Sequence, residues 1–276
     1  MTVFDLDKKM LLMDYKKQLK QAFSLVELSI VIIILGLLVA SVTVGKDLIK
    51  AAQVRGVITQ ITSFDTSANT FNLKYDCYPG DCSKASRRGL GDNDGNGNGI
   101  YEDSDFETDS LPDLEDYEIV FFWQHLYLAG FTNGAFDGDA TNGIIGETFP
   151  KLKSGGGLGI YGLEGINYYH LCLDDSVGEA AQFADCFIPE DAFALDNKLD
   201  DGFPLKGTVI ARSSSCGSDP NAFSCANTPI TTTSGGASTV AGEACVFQVD
   251  ATADIDEDEY DFEQTSNSCN LRIRMQ

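Results

Sequence analysis

The sequence predicts an α+β fold, in which a long N-terminal α-helix packs on a small antiparallel β head that is stapled by disulfides and carries long loops. Three observations predict it. Residues 28–45 form an uncharged apolar run near the N-terminus. Apolar residues then recur at helical spacing as far as Tyr75. Eight cysteines follow this predicted helix, among short segments with strand-like alternation and many turn residues.

The apolar run is long enough to cross a bilayer as a helix. Residues 1–22, which precede it, contain five lysines and three aspartates, and positively charged flanks remain in the cytoplasm. The chain after Gly45 is therefore expected to be exported to an oxidising compartment, where cysteines form disulfides. A secretory signal has its small-residue cleavage site after the apolar run, whereas Ala22 lies before it, so cleavage there would leave the anchor attached.

The residues around Ala22 resemble a known processing signal. Positions 21–28 read QAFSLVEL, which is similar to the cleavage and methylation motif of type IV prepilins and secretion pseudopilins, with Ala where that family usually has Gly. The resemblance implies that prepilin peptidase cuts after Ala22 and methylates the new amine of Phe23. It also implies that Glu27 pairs with the N-terminal amine of a neighbouring subunit when the helices stack in a filament.

A charge at Glu27 has a physical cost that such pairing would offset. An ionised carboxylate in the middle of a membrane-spanning helix costs roughly 2.5–3.5 kcal/mol, and somewhat less near the helix end. Glu27 therefore needs a partner, which assembly would supply. The alternative is a plain signal anchor with an incidental glutamate at the membrane interface.

The predicted helix continues beyond the membrane as an amphipathic segment. Its apolar positions recur at steps of three and four residues, at Val54, Val57, Ile58, Ile61, Phe64, Ala68 and Phe71. A helix from Phe23 to Tyr75 would be roughly 80 Å long, and the YPGD turn at residues 78–81 would end it. The sequence thus predicts a cytoplasmic leader at 1–22, a membrane and filament-core helix at 23–45, its amphipathic continuation at 46–78 and a head at 79–276.

A glycine-rich, acidic segment near the start of the head predicts a calcium site. Oxygen-bearing side chains alternate around a turn, as hard cations prefer, and the candidate ligands are Asp92, Asp94, Asn96, Asn98 and Asp103. In the Ca²⁺-loop pattern, Asp92 takes the first place and Asp103 the twelfth, with Gly97 at the sixth. Ile100 falls one place late for an EF-hand, and a solvated turn without an ion is the alternative.

The cysteines lack the spacings of a zinc site, so disulfides are expected. Eight cysteines allow 105 pairings, and pairing each with its nearest neighbour gives Cys77 with Cys82, Cys172 with Cys186, Cys216 with Cys225, and Cys245 with Cys269. Residues 118–130 predict a short helix on the head in which His125 is structural. Together with the YPGD turn and the glycine-rich loop, this WQHL-containing segment resembles a group of prepilin-like proteins. Residues 254–263 form an acidic run, which is typical of a solvated surface.

The composition disfavours several functions. A net charge of −23 and scattered basic residues argue against a nucleic-acid partner, because phosphate binding needs clustered Lys and Arg. The sequence contains no nucleophile-elbow, metalloprotease or phosphate-loop motif, and its two histidines leave few ways to build an acid–base site. We therefore expect that the chain is not an enzyme.

The resemblance implies a structural subunit of a type IV pilus or a type II secretion-like pseudopilus. Its implied partners are other pilin-like subunits, prepilin peptidase, an inner-membrane assembly platform and, before assembly, membrane lipid. The implied location is the inner membrane, with a single pass and a periplasmic head, and then the filament. Val44 stands where major pilins tend to carry Pro, which favours a minor or pseudopilin subunit. A filament-tip adhesin and a signal-anchored periplasmic hydrolase that uses calcium are the alternatives.

Overall fold

A computed structural model describes residues 24–101, 118–139, 143–163, 165–174, 182–212, 245–247, 259–263 and 265–276. The chain divides into two compact units, Met1–Ala51 and Ala52–Gln276. Helix α1, Leu25–Tyr75, contributes to both units and ends at the residue that the sequence predicts. Further helices in the second unit are a 3-10 helix at Ser86–Arg88, α2 at Glu118–Leu128 and α3 at Pro189–Leu199.

The strands of the second unit are short and antiparallel. They are β1 (Gly157–Leu163), β2 (Ile166–Asp174), β3 (Gln182–Phe183), β4 (Val209–Arg212), β5 (Val246–Phe247), β6 (Glu259–Tyr260) and β7 (Asn270–Arg274). One sheet has the order β1-β2-β7-β4 with β3 also paired to β2, and β5 pairs with β6 separately. Buried Ile273 in β7 lies opposite Tyr169 of β2 and Val209 of β4, so the last strand in the chain holds the middle of the sheet.

The second half of α1 forms part of the core of the head. The buried side chains on this half of the helix are Val54, Val57, Ile61, Phe64, Ala68 and Phe71. Their steps of three and four residues place them on one face of a helix with 3.6 residues per turn. Ile58 is partly buried beside them. The sequence prediction of an amphipathic continuation is confirmed.

Helix α2 lies between α1 and the sheet. The Trp123 ring meets Phe64 of α1 edge-to-face with 4.9 Å between ring centroids, and Phe122 meets Tyr169 of β2 at 6.5 Å. Trp123, Phe122 and His125 are all fully buried. A helix that packs on two sides is apolar around most of its circumference. This explains why the sequence of α2 shows a dense apolar run rather than a stripe.

Three of the four nearest-neighbour disulfides are present in the structure, namely Cys77–Cys82, Cys172–Cys186 and Cys245–Cys269. The fourth pair, Cys216 and Cys225, lies outside the described residues. The second and third disulfides meet, because Cys186 N and Phe187 N both donate to the carbonyl of Cys269. They staple the strands at the point where α3 begins. The α+β fold with a disulfide-stapled head is therefore as predicted.

Candidate functional site

The first half of α1 carries a continuous apolar surface. Every large apolar side chain from Leu25 to Val44 is half or more exposed, and Leu25 is 85% exposed. Among the described residues, α1 is the one helix that is long and apolar enough to cross a membrane, with a mean hydropathy of 2.8 over its most apolar 18 residues. Among residues 24–51, the described part of its unit, nothing covers this surface.

The N-terminus of α1 is closed by a capping box. Ser24 Oγ accepts a hydrogen bond from the backbone N–H of Val26 at 3.3 Å, and Glu27 Oε2 accepts one from Ser24 N–H at 2.9 Å. This reciprocal arrangement satisfies backbone donors that a helix start leaves open, and a carboxylate there also complements the helix dipole. Glu27 therefore has a partner within its own chain, which the sequence analysis did not anticipate although Ser24-Leu-Val-Glu27 is the capping-box pattern.

The structure describes the chain from the residue that follows the predicted processing site. Ala22 and Phe23 lie outside the described residues, and Ser24 directly follows them at the helix start. Cleavage after Ala22 and methylation of Phe23 stay predictions.

The glycine-rich loop that suggested calcium is organised around Asp81. This buried carboxylate accepts backbone hydrogen bonds from Gly97 at 2.6 Å, from Asn98 at 3.1 Å and from Gly99 at 2.7 Å. A second carboxylate, that of Glu118, accepts a further backbone hydrogen bond from the loop, at 2.7 Å from Asn96 N to Glu118 Oε1. Burial raises the pKa of the Asp81 carboxyl, and the three N–H donors oppose that rise. The N–H groups of the loop thus point at a carboxylate of the protein itself.

The predicted calcium ligands take local partners in this arrangement. Asp94 Oδ1 accepts from Ser86 N, while Asn96 and Asn98 each accept from the N–H two residues further along the chain. Asp92 is exposed, and Asp103 lies outside the described residues. Asp94, Asn96 and Asn98 therefore act as turn and cap residues here, and calcium in this loop stays a prediction.

The turn before the loop is locked to α2. Gly80 has a left-handed φ of 85°, and its N–H donates to His125 Nδ1 at 2.8 Å. A Cβ at this position would lie 2.3 Å from the carbonyl oxygen of Glu118, so only glycine fits. Burial lowers the pKa of His125 to about 4, which keeps the imidazole neutral and able to accept at Nδ1. The expectation that His125 is structural agrees with this contact.

A second carboxylate cluster lies at the end of α3. Within the described residues, Asp196, Asp200 and Asp201 form the one group of three acidic side chains whose oxygens lie within 4.8 Å of one another. Asp196 is fully buried, accepts from Tyr260 Oη at 2.8 Å and from Gly202 N at 3.3 Å, and has a pKa that burial raises to about 6. Asp200 accepts from the backbone at the start of β4. These bonds join α3 to β4 and β6.

Sequence reasoning missed the buried roles of Asp81, Glu118 and Asp196. Asp81 had a detectable signal, because it follows Pro79-Gly80 and precedes a segment with many N–H groups in tight turns. Asp196 had no such signal in the sequence, because it lies near exposed acidic residues such as Asp201. Only its burial distinguishes it from them. Comparisons with protein-family models, with curated proteins and with solved structures found no match for this chain.

Proposed function

We propose that the chain is a structural subunit of a type IV pilus-like or pseudopilus-like filament, anchored in the inner membrane by α1 with its head in the periplasm. Prepilin peptidase cuts it after Ala22, and an assembly platform then moves it from the lipid into a filament of pilin-like subunits. The observation that carries the proposal is the exposed apolar half of α1, which begins within the QAFSLVEL motif.

The size of that surface argues that it is covered in the cell. Fully burying a Leu, Ile or Val side chain contributes about 1.5–3 kcal/mol, and each large apolar side chain between Leu25 and Val44 is half or more exposed. Covering the large apolar side chains of this segment therefore contributes on the order of 10–20 kcal/mol. Lipid acyl chains and the matching helices of neighbouring subunits are both able to supply this cover, which is what insertion followed by assembly requires.

Glu27 gives the assembled state an electrostatic preference. One carboxylate oxygen already accepts the Ser24 N–H, and an ionised carboxylate has about four acceptor sites in total. An amine at Phe23 of a neighbouring chain would add a charge-assisted hydrogen bond in a medium of low dielectric. The preferred position of each subunit along the helix stack would then be set by this contact.

The test is the intact mass of the full chain extracted from membranes that contain prepilin peptidase. We expect a chain that starts at methylated Phe23, faster cutting for Ala22→Gly, and no cutting for Ala22→Leu. Glu27→Gln is the matched control, because we expect it to be cut but to remain unassembled. A wild-type chain that retains Met1 in the presence of active peptidase would refute the proposal.

We also propose that calcium binds the loop at residues 92–103, as the alternation of its oxygens predicts. Calcium titration of the full chain is expected to raise its melting temperature, and Asp92→Asn is expected to reduce that rise without affecting the metal-free melting temperature. A melting temperature that does not change with calcium would remove the ion from the proposed function.

A further inference from the structure

A groove of about 790 Å³ runs beside the head half of α1. One wall is the helix itself between Arg55 and Ser67, and the others are the segments at residues 131–136 and 150–153. Phe64, Phe131 and Phe136 give it an aromatic lining. The groove therefore has an apolar interior of a size that accepts a protruding side chain from another molecule.

The charge of this groove is opposite to that of the protein. Arg55, Lys151 and Lys153 are exposed along it, and none of the described residues that line it is acidic. The whole chain has 42 acidic and only 19 basic residues. Three cationic side chains line this groove in a strongly acidic chain, and no acidic side chain stands beside them among the described lining residues. The groove therefore favours an occupant that is acidic as well as apolar.

Hydrogen bonds hold the groove open in this shape. The Gln60 amide donates to the carbonyl of Lys151 at 2.8 Å and accepts from the N–H of Lys153 at 3.2 Å. These two bonds fix the 150–153 segment to α1. Ser67 Oγ donates to the carbonyl of Phe131 at 3.0 Å on the other side. The walls are thus positioned in the isolated chain, which lowers the ordering cost of binding.

The head also presents an acidic, aromatic protrusion. Phe262 is 55% exposed and is flanked by Asp261 and Glu263. Its ring meets Phe193 of α3 edge-to-face at 5.4 Å between centroids, so the protrusion is held in place. The Asp261 N–H donates to the carbonyl of Cys245 at 3.0 Å, which ties the protrusion to a disulfide. It has the charge and the aromatic side chain that the groove favours.

We propose that the groove binds the Phe262 protrusion of a second copy of this chain. Phe262 enters between the aromatic side chains of the groove, while Asp261 and Glu263 face the cations at its edge. Groove and protrusion are different surfaces, so the contact is heterologous and can repeat from copy to copy as an open chain of subunits. It adds a contact between heads to the assembly through α1, and either contact can fail without the other.

The experiment uses the full chain in membranes and places a photo-reactive benzophenone side chain at position 262. Irradiation is expected to yield a covalent dimer in which the probe is attached to residues 55–67, 131–136 or 150–153 of the other copy, as mapped by mass spectrometry. The same probe at Tyr127, another exposed aromatic position, is the control and is expected to leave the groove unlabelled. Labelling of lipid, of another protein or of a different face would overturn the proposal.

A charge exchange separates this contact from general adhesion. Lys153→Glu is expected to lower the dimer yield roughly fivefold, as the loss of about one exposed ion pair predicts, and adding Glu263→Lys is expected to restore it. Lys84→Glu makes the same change in net charge at an exposed position outside the groove and is expected to leave the yield unchanged. The docking contact would be refuted if Lys153→Glu did not lower the dimer yield, or if the chain stayed monomeric. The proposed processing is tested separately, by the mass of the N-terminus.

Discussion

The turn at Gly80 offers the sharpest test of the described packing, with Gly89 as a matched control. Both glycines have a left-handed φ, of 85° and 73°, so an alanine at either costs about 1–2 kcal/mol in backbone strain. At Gly89 a Cβ would meet nothing within 4 Å, whereas at Gly80 it would lie 2.3 Å from Glu118 O and 3.1 Å from Phe122 N. Backbone atoms cannot move aside by changing rotamer, so the turn itself must shift.

That shift would break the buried hydrogen bond from Gly80 to His125. An unsatisfied buried group costs about 1–3 kcal/mol, and overpacking costs about 1–3 kcal/mol more. We therefore expect Gly80→Ala to lower the free energy of unfolding by about 3–8 kcal/mol, against about 1–2 kcal/mol for Gly89→Ala. Trp123 is the one tryptophan of the chain and is fully buried in α2, so its fluorescence during urea unfolding in detergent reports the loss. Equal losses for the two variants would refute the packing of the turn on α2.

The remaining predictions concern the buried carboxylates and a disulfide. Asp81→Asn replaces an acceptor oxygen by a donor and should lower the free energy of unfolding, measured in urea, by about 2–4 kcal/mol. Asp92→Asn changes an exposed side chain and should lower it little. A small decrease for both variants would contradict the hydrogen bonds described for the loop. Burial raises the pKa of Asp196 from 3.8 to about 6, so the folded state binds its proton more tightly. As the pH rises from about 4 to 6, the free energy of unfolding should therefore fall by at most about 3 kcal/mol. Asp196→Asn should remove that fall. Replacing Cys245 and Cys269 by serine opens a loop with a sequence separation of 24 and should lower the free energy of unfolding by roughly 3–4 kcal/mol. An unchanged midpoint of urea unfolding would argue against this disulfide.

The helical half of the fold could be predicted because its signals are local. Helical spacing from Val54 to Phe71 depends on the period of one helix, and the structure buries the predicted face. The disulfides at Cys77, Cys172 and Cys245 each join neighbours in the sequence, where pairing by proximity succeeds. The apolar run was equally clear, since length and hydropathy alone define a segment able to cross a membrane.

The candidate sites depended on contacts between distant residues. The glycine-rich loop was interpreted from its own oxygens, yet its N–H groups point at Asp81, which lies 16 to 18 positions earlier. Glu27 is the exception, because its partner was expected on a neighbouring subunit, whereas the helix start supplies Ser24 N–H only three residues away. The groove beside α1 has no sequence signal, because Arg55 and Lys153 come together only when distant segments pack.

The sequence by itself determined a disulfide-bonded α+β chain with a long apolar N-terminal helix, because apolar length, helical period and cysteine spacing are properties of neighbouring residues. Only the tertiary structure decided which charged groups are buried and which surfaces are complementary. Asp196 looks like the exposed acids around it, and hydrogen bonds from residues distant in the sequence allow both Asp81 and Asp196 to be buried. The same packing forms a basic groove, which no local pattern could have predicted, on the chain that also carries the acidic Phe262 protrusion.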